Sequence, residues 1–130
     1  GDLAMDLVVT YVEAIKKIEE IEESGLNSNS KVRKNNKLAD KIRKIAIEIE
    51  KEHPDTKYAF YQLIFHEKSS VRIWAAHHVL EVMNYDNKCK SGALKEIAYV
   101  ADHGSGVNSL GNKMWLTNWF QEHPEDKHLL

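Results

Sequence analysis

Apolar residues recur at three- and four-residue intervals along almost the whole chain, and that period predicts helices. In the first segment Leu3, Leu7, Tyr11, Ala14, Ile15, Ile18 and Ile21 fall on one face of a helix running from Leu3 to Ile21. Ser24-Gly25 supplies its stop, and the polar Asn27-Ser28-Asn29-Ser30 run forms a loop able to cap the next helix. A second helix extends to about Glu52 with Leu38, Ile42, Ile45, Ala46 and Ile49 as its buried stripe. His53-Pro54 closes it, because the residue before proline disfavours helical geometry. A shorter third helix, about Thr56 to His66, is apolar nearly all round: Tyr58, Tyr61 and Phe65 on one arc, Phe60, Leu63 and Ile64 on another, a composition that predicts burial. Ser69 or Ser70 can cap a fourth helix reaching about Met83, where Asn84-Tyr85-Asp86-Asn87 breaks the pattern. A fifth is expected from Ser91 to about Asp102. After Gly104-Ser105-Gly106 a sixth runs from Val107 to about Gln121, before the second His-Pro step at His123-Pro124. Six helices without a strand indicate an all-α fold, and 130 residues suit one domain spanning 1–130.

The fourth helix carries the sharpest residue-level expectation. At about 100° per residue, Val71, Ala75, Ala76, Val79, Leu80, Val82 and Met83 share one broad arc, the core side. Arg72 falls inside that arc and should reach an acid, with Glu67 or Asp102 as candidates, since a charge at a buried position needs a partner. Trp74, His77, His78 and Glu81 fall together on the opposite arc, as neighbours at three- and four-residue spacing. Packing beneath another helix is the commoner use of such a Trp; left exposed, it would anchor an interface. In the last helix Trp115 is expected in the core, Trp119 is open between core and contact, and with Phe120 they leave no clean polar face.

Charge adds a second pattern to a net of −2. Asp6, Glu13 and Glu20 lie seven apart on the polar face of the first helix, and Glu19, Glu22 and Glu23 thicken its C-terminal end. Arg33, Lys37, Lys41 and Lys44 make a basic stripe on the second. Both could be solvated faces, or could pair with each other for a few tenths of a kcal/mol per contact. With a pI near 6.4 the chain lacks the broad basic surface that phosphate contacts demand, so direct nucleic-acid binding is not expected.

Catalytic and metal chemistry find little support. His77 and His78 are adjacent and diverge by about 100° on a helix, so they cannot easily share one ion. His77 and Glu81 have the i, i+4 spacing of a metal pair but no third ligand of known proximity, with His66, His103 and His123 scattered. Cys89, the only cysteine, sits among Asn87-Lys88-Cys89-Lys90 with no identifiable base and reads as an ordinary thiol; it excludes an intrachain disulfide. No phosphate-binding glycine motif occurs. No cofactor, metal or catalytic residue is therefore assigned. No apolar run approaches the roughly 18 to 20 residues of a membrane span and the N-terminus lacks a signal-peptide pattern, so a cytoplasmic chain without membrane contact is expected. Met5 reads as a native start, which would make Gly1 to Ala4 a cloning remnant or the end of a longer segment.

The run Val71-Arg72-Ile73-Trp74-Ala75-Ala76-His77-His78-Val79-Leu80 resembles the second helix of a HEAT-type repeat, Val-Arg-x-x-Ala-Ala-x-x-x-Leu, whose paired small residues admit a close neighbour. From Ala59 to Phe120 the order of elements, with Ala98-x-x-Ala101-Asp102 and Met114-Trp115-Leu116, is similar to a small bacterial HEAT-like family. Proteins similar to its members occur as immunity partners of secreted antibacterial toxins. One departure is the corner Glu67-Lys68-Ser69-Ser70, where HEAT repeats often carry an Asp before Val-Arg. The resemblance implies an antiparallel helical-repeat stack that binds and blocks a cognate toxin domain, with a nuclease as the favoured target. A general protein-binding scaffold is the alternative, and a nucleic-acid-binding helical repeat ranks below it. Stacked helical pairs make binding surfaces rather than reaction chambers. The expected partner surface joins Trp74, His77, His78 and Glu81 to Tyr99 and His103 of the fifth helix and to Asp6, Glu13 and Glu20.

Overall fold

The computed structural model describes residues 2–130, Asp2 by its backbone alone; Gly1 lies outside the described residues. Six α-helices succeed one another: α1 (Asp2–Glu23), α2 (Asn29–Glu52), α3 (Lys57–Tyr61), α4 (Ser69–Glu81), α5 (Asn87–His103) and α6 (Gly106–Glu122). Short 3₁₀ turns flank α3 at Pro54–Thr56 and Gln62–Phe65, and another, Pro124–Leu129, comes after α6. No strand occurs among the described residues. The helices stack in the spatial order α2, α1, α4, α5, α6, with α3 and its second 3₁₀ turn packed beside α4.

Local chemistry explains the breaks. Gly25 takes φ +89°, a left-handed conformation that ends α1 at little steric cost. Ser28 then caps α2 by accepting the Lys31 N–H at 3.2 Å. Asp86 caps α5 by accepting the Cys89 N–H at 2.9 Å, so that helix begins four residues before the apolar pattern suggests. Neither Ser69 nor Ser70 caps α4; Lys68 holds the N-cap position without a side-chain bond.

The core runs where the periodicity places it. Tyr11, Ile15 and Ile18 of α1 meet Ile42, Ala46 and Ile49 of α2, and Val71, Ala75, Ala76 and Val79 of α4 meet Ala93, Leu94 and Ile97 of α5. Each branched side chain removed from water there contributes about 1.5–3 kcal/mol. At the junction between the two helical pairs, Tyr11 packs edge-on against Phe60, ring centroids 4.9 Å apart. Three expectations are corrected. Leu3 is exposed, while Ala4 and Val8 complete the buried stripe of α1. α3 and the 3₁₀ turn that continues it are one-sided: Phe60, Leu63 and Ile64 are buried but Tyr58 and Phe65 are 75% and 65% exposed. Arg72 pairs with neither Glu67's carboxylate nor Asp102. Its Nε lies 3.5 Å from Oε1 of Glu96, and its Nη1 donates to the carbonyls of His66 at 2.7 Å and Glu67 at 3.0 Å. One guanidinium thereby ties the corner before α4 to the middle of α5.

Candidate functional site

The arc of α4 opposite the core is covered unevenly. His78 is a core residue, 4% exposed, where α1 crosses α4. The Tyr11 hydroxyl and His78 Nδ1 form a hydrogen bond of 2.6 Å, and the Trp74 ring lies 5.8 Å away. Burial, then the neighbouring His77 and Arg43, push the His78 imidazole down to about 4, so it is neutral near pH 7. It is therefore unavailable as a surface contact, contrary to the sequence reading.

His77 is half-buried against α6. Asn112 donates its Nδ2–H to the Asn108 carbonyl at 2.8 Å, which leaves its Oδ1 facing His77 Nε2 at 2.8 Å. That geometry makes Nε2 the donor. Burial lowers the His77 pKa, with Asn112 and Glu81 acting the other way. Glu81 accepts Trp115 Nε1–H at 2.7 Å and lies 3.9 Å from His77 Nδ1, so its carboxylate clamps α6 as well as facing solvent. Trp74 packs on the core by one face.

The side chains that do share an open surface are Trp74 and His77 with the acidic end of α1. Glu19, Glu22 and Glu23 form one wall of a groove of ≈ 410 Å³; Ser69, Ser70, Ile73, Trp74 and His77 form the floor, and Val100, Asn108 and Asn112 close the far side. Glu19 accepts from Lys68 Nζ at 3.1 Å, and the Ser70 hydroxyl and Lys68 hold its carboxyl below the usual range. Glu22 and Glu23 are exposed and form no ion pair among the described residues. Their charge is free to act outward.

The other predicted residues lie apart from this groove. Asp6, Glu13 and Glu20 are exposed on α1, Glu13 3.8 Å from Lys16. Tyr99 and His103 stack on each other at 4.4 Å on α5 and do not line the groove. The basic residues Lys37, Lys41 and Lys44 border a shallow hollow that also contains Asp40 and Glu48, so its charge is mixed. No ion pair joins the acidic and basic stripes among the described residues. Asn108 and Asn112 were not legible as site residues, because their only sequence signal is an i, i+4 spacing of polar positions on a largely apolar helix.

A second cleft, ≈ 410 Å³, is lined by Lys57, Tyr58, Tyr61, Tyr85 and Cys89. Burial, with Asp86 beside it, pushes the Cys89 thiol up, which keeps it protonated near neutral pH. Among the described residues no three His, Cys, Asp or Glu side chains gather as a metal-binding group, and no helix is long and apolar enough to cross a membrane. Comparisons with family models, with curated proteins and with solved structures found no match.

Proposed function

We propose that this chain is an inhibitor of the immunity type, which binds a cognate toxin domain and covers its active cleft, with a nuclease as the favoured target. The observation that supports it is the groove between α1 and α4, where the unpaired carboxylates of Glu22 and Glu23 stand beside Trp74. A cleft that handles nucleic acid is basic, and acidic groups positioned to meet it speed encounter and reject wrong partners. A half-buried Trp next to such charges supplies apolar contact at the centre. The helical stack favours near-rigid docking, since both walls are held by core packing. The HEAT-like Val71-Arg72-x-x-Ala75-Ala76 pattern agrees with this reading, and such an inhibitor would act in the cytoplasm of the cell that makes the toxin.

This reading predicts a toxin-encoding frame beside this chain's gene, and its test is protection of cells that express that toxin. Glu22→Lys with Glu23→Lys should abolish protection while leaving helicity and Tm unchanged, because both side chains are exposed and unpaired. Protection that survives the double reversal removes the groove from the interface. A scaffold for some other protein is favoured by one observation, the exposed Tyr58 of α3 and Phe65 of the 3₁₀ turn after it, and predicts protein binding that the reversal leaves intact.

A further inference from the structure

Of the three tryptophans, two spend their indole N–H inside the fold: Trp115 donates to Glu81 at 2.7 Å and Trp119 to Asp126 at 3.1 Å. Trp74 does not. Among the described residues its N–H meets no acceptor, and the atom is open to solvent. One face of its ring rests on the core, with the His78 imidazole tilted 33° to it, and the remainder lines the α1–α4 groove under the wall of Glu19, Glu22 and Glu23. That wall breaks a local rule. Carboxylates at the C-terminal end of a helix add to the negative end of its dipole, and acids three or four residues apart repel each other. α1 nevertheless ends Glu19-Glu20-Ile21-Glu22-Glu23, with no basic residue in its last turn. Lys68 relieves Glu19 alone, and His77 brings no positive charge near pH 7, since burial lowers its pKa. A cation from outside the chain would relieve Glu22 and Glu23 together.

The geometry points to an arginine side chain of the protein partner as the group that enters this groove, its guanidinium stacked on the open part of the Trp74 ring and forked to the carboxylates of Glu22 and Glu23. This rests on the reading of the groove as the partner's seat and names what it holds there. Size selects a side chain over a flat face, since ≈ 410 Å³ lies at the lower end of the about 300–1,000 Å³ of sites that enclose a small group. Chemistry selects arginine over lysine. An ammonium is a compact, strongly hydrated point charge. A guanidinium is flat and weakly hydrated with donors along its edge, so it can lie on an aromatic face and bond carboxylates at the same time. Ile73 and Val100, on the floor and the far side, suit the methylene stem of such a residue. The Trp74 N–H cannot bond a cation and is left for a backbone carbonyl of the segment that carries the arginine. Arginine is also the residue suited to grip phosphate through paired hydrogen bonds. A groove that captures it would withdraw a substrate-binding group from a nuclease as well as cover the cleft.

Nitrogen-15 NMR of the purified chain reads the site through its indole N–H signals, that of Trp74 being the one lost in Trp74→Phe. The probes are the capped peptides acetyl-Gly-Arg-Gly-amide, acetyl-Gly-Lys-Gly-amide and acetyl-Gly-Leu-Gly-amide, titrated at constant ionic strength. The expected result is a saturable shift of the Trp74 signal by the arginine peptide, with Kd on the order of millimolar. Lysine should bind about fivefold more weakly, the scale of one exposed cation–π contact, and Glu22→Gln with Glu23→Gln should abolish saturation. No saturation with arginine, a lysine or leucine peptide that binds as well, or binding unchanged in the glutamine variant overturns the proposal. The groove reading is judged separately, by protection with Glu22→Lys, Glu23→Lys. Protection lost there without any arginine preference sinks the arginine and keeps the groove; arginine preference with protection intact keeps the arginine site and removes the toxin.

Discussion

Lowering the pH from 7 to 5 should destabilise this protein through His78. Its imidazole titrates at about 4 in the folded chain against about 6.5 when unfolded. The unfolded state therefore binds a proton first. Stability from this group is complete above pH 6.5 and is lost as pH falls through the window down to about 4. Linkage over those two values removes about 2 kcal/mol between pH 7 and pH 5, and about 3 kcal/mol once both states are protonated. His77, also lowered by burial, acts in the same direction. Glu96, raised by burial, takes up protons before the unfolded chain does and offsets part of the loss at the acid end. Urea unfolding monitored by circular dichroism at several pH values reads the effect: with m of about 2 kcal/mol/M, the midpoint should fall by roughly 1 M between pH 7 and pH 5. His78→Gln should start less stable and lose most of the slope. A wild-type midpoint that stays level across this range would refute a neutral His78 wedged between α1 and α4, as would a His78→Gln variant with an unchanged slope.

Other substitutions test the joints of the stack. Arg72→Ala should cost about 2–3 kcal/mol by denaturant unfolding, since it strands the carboxylate of Glu96, whose side chain is only 14% exposed; the Arg72→Met, Glu96→Leu pair should recover much of that loss. Asp86→Ala removes the side-chain cap of α5 and should lower Tm by calorimetry, with faster hydrogen exchange confined to the first turn of α5. Asp126→Ala should free the Pro124–Leu129 turn, because Asp126 accepts from Lys90 Nζ at 2.7 Å and from Trp119 Nε1 at 3.1 Å. Hydrogen exchange should then accelerate in that turn and in the last turn of α6 while α4 keeps its protection.

Periodicity carried the helices well where one face of a helix settles everything. α2 is the clearest case: Ile42, Ile45, Ala46 and Ile49 are all buried, and the His53-Pro54 step ends it. The small residues Ala75 and Ala76 were equally legible, because a close helix crossing leaves room for nothing larger. The opposite arc of α4 was not, since whether His78 meets water depends on where Tyr11 of α1 crosses it, and a single helix contains no trace of that crossing. The partner of Arg72 failed for the same reason. Glu96 and Asp102 are both acids on α5, and the register of α5 against α4 chooses between them. Composition also cannot tell a buried helix from a one-sided one, so the segment from Thr56 to His66, with Tyr58 and Phe65 in solvent, was misjudged. The start of α5 was within reach, as Asp86 has the position and chemistry of an N-cap but stood inside a run read only as a break. For the groove, the acidic residues at the end of α1 and the Trp74–His77 pair were each visible in the sequence, and only the fold brings them together.

The central claim, that the α1–α4 groove holds a basic protein partner, is tested most directly by recovering the tagged chain from its native cell at moderate salt and identifying what comes with it by mass spectrometry, in parallel with the Glu22→Lys, Glu23→Lys variant. The expected result is a stoichiometric protein carrying a basic toxin domain with the wild-type chain and none with the variant; nucleic acid, or the same partner on both, would contradict it.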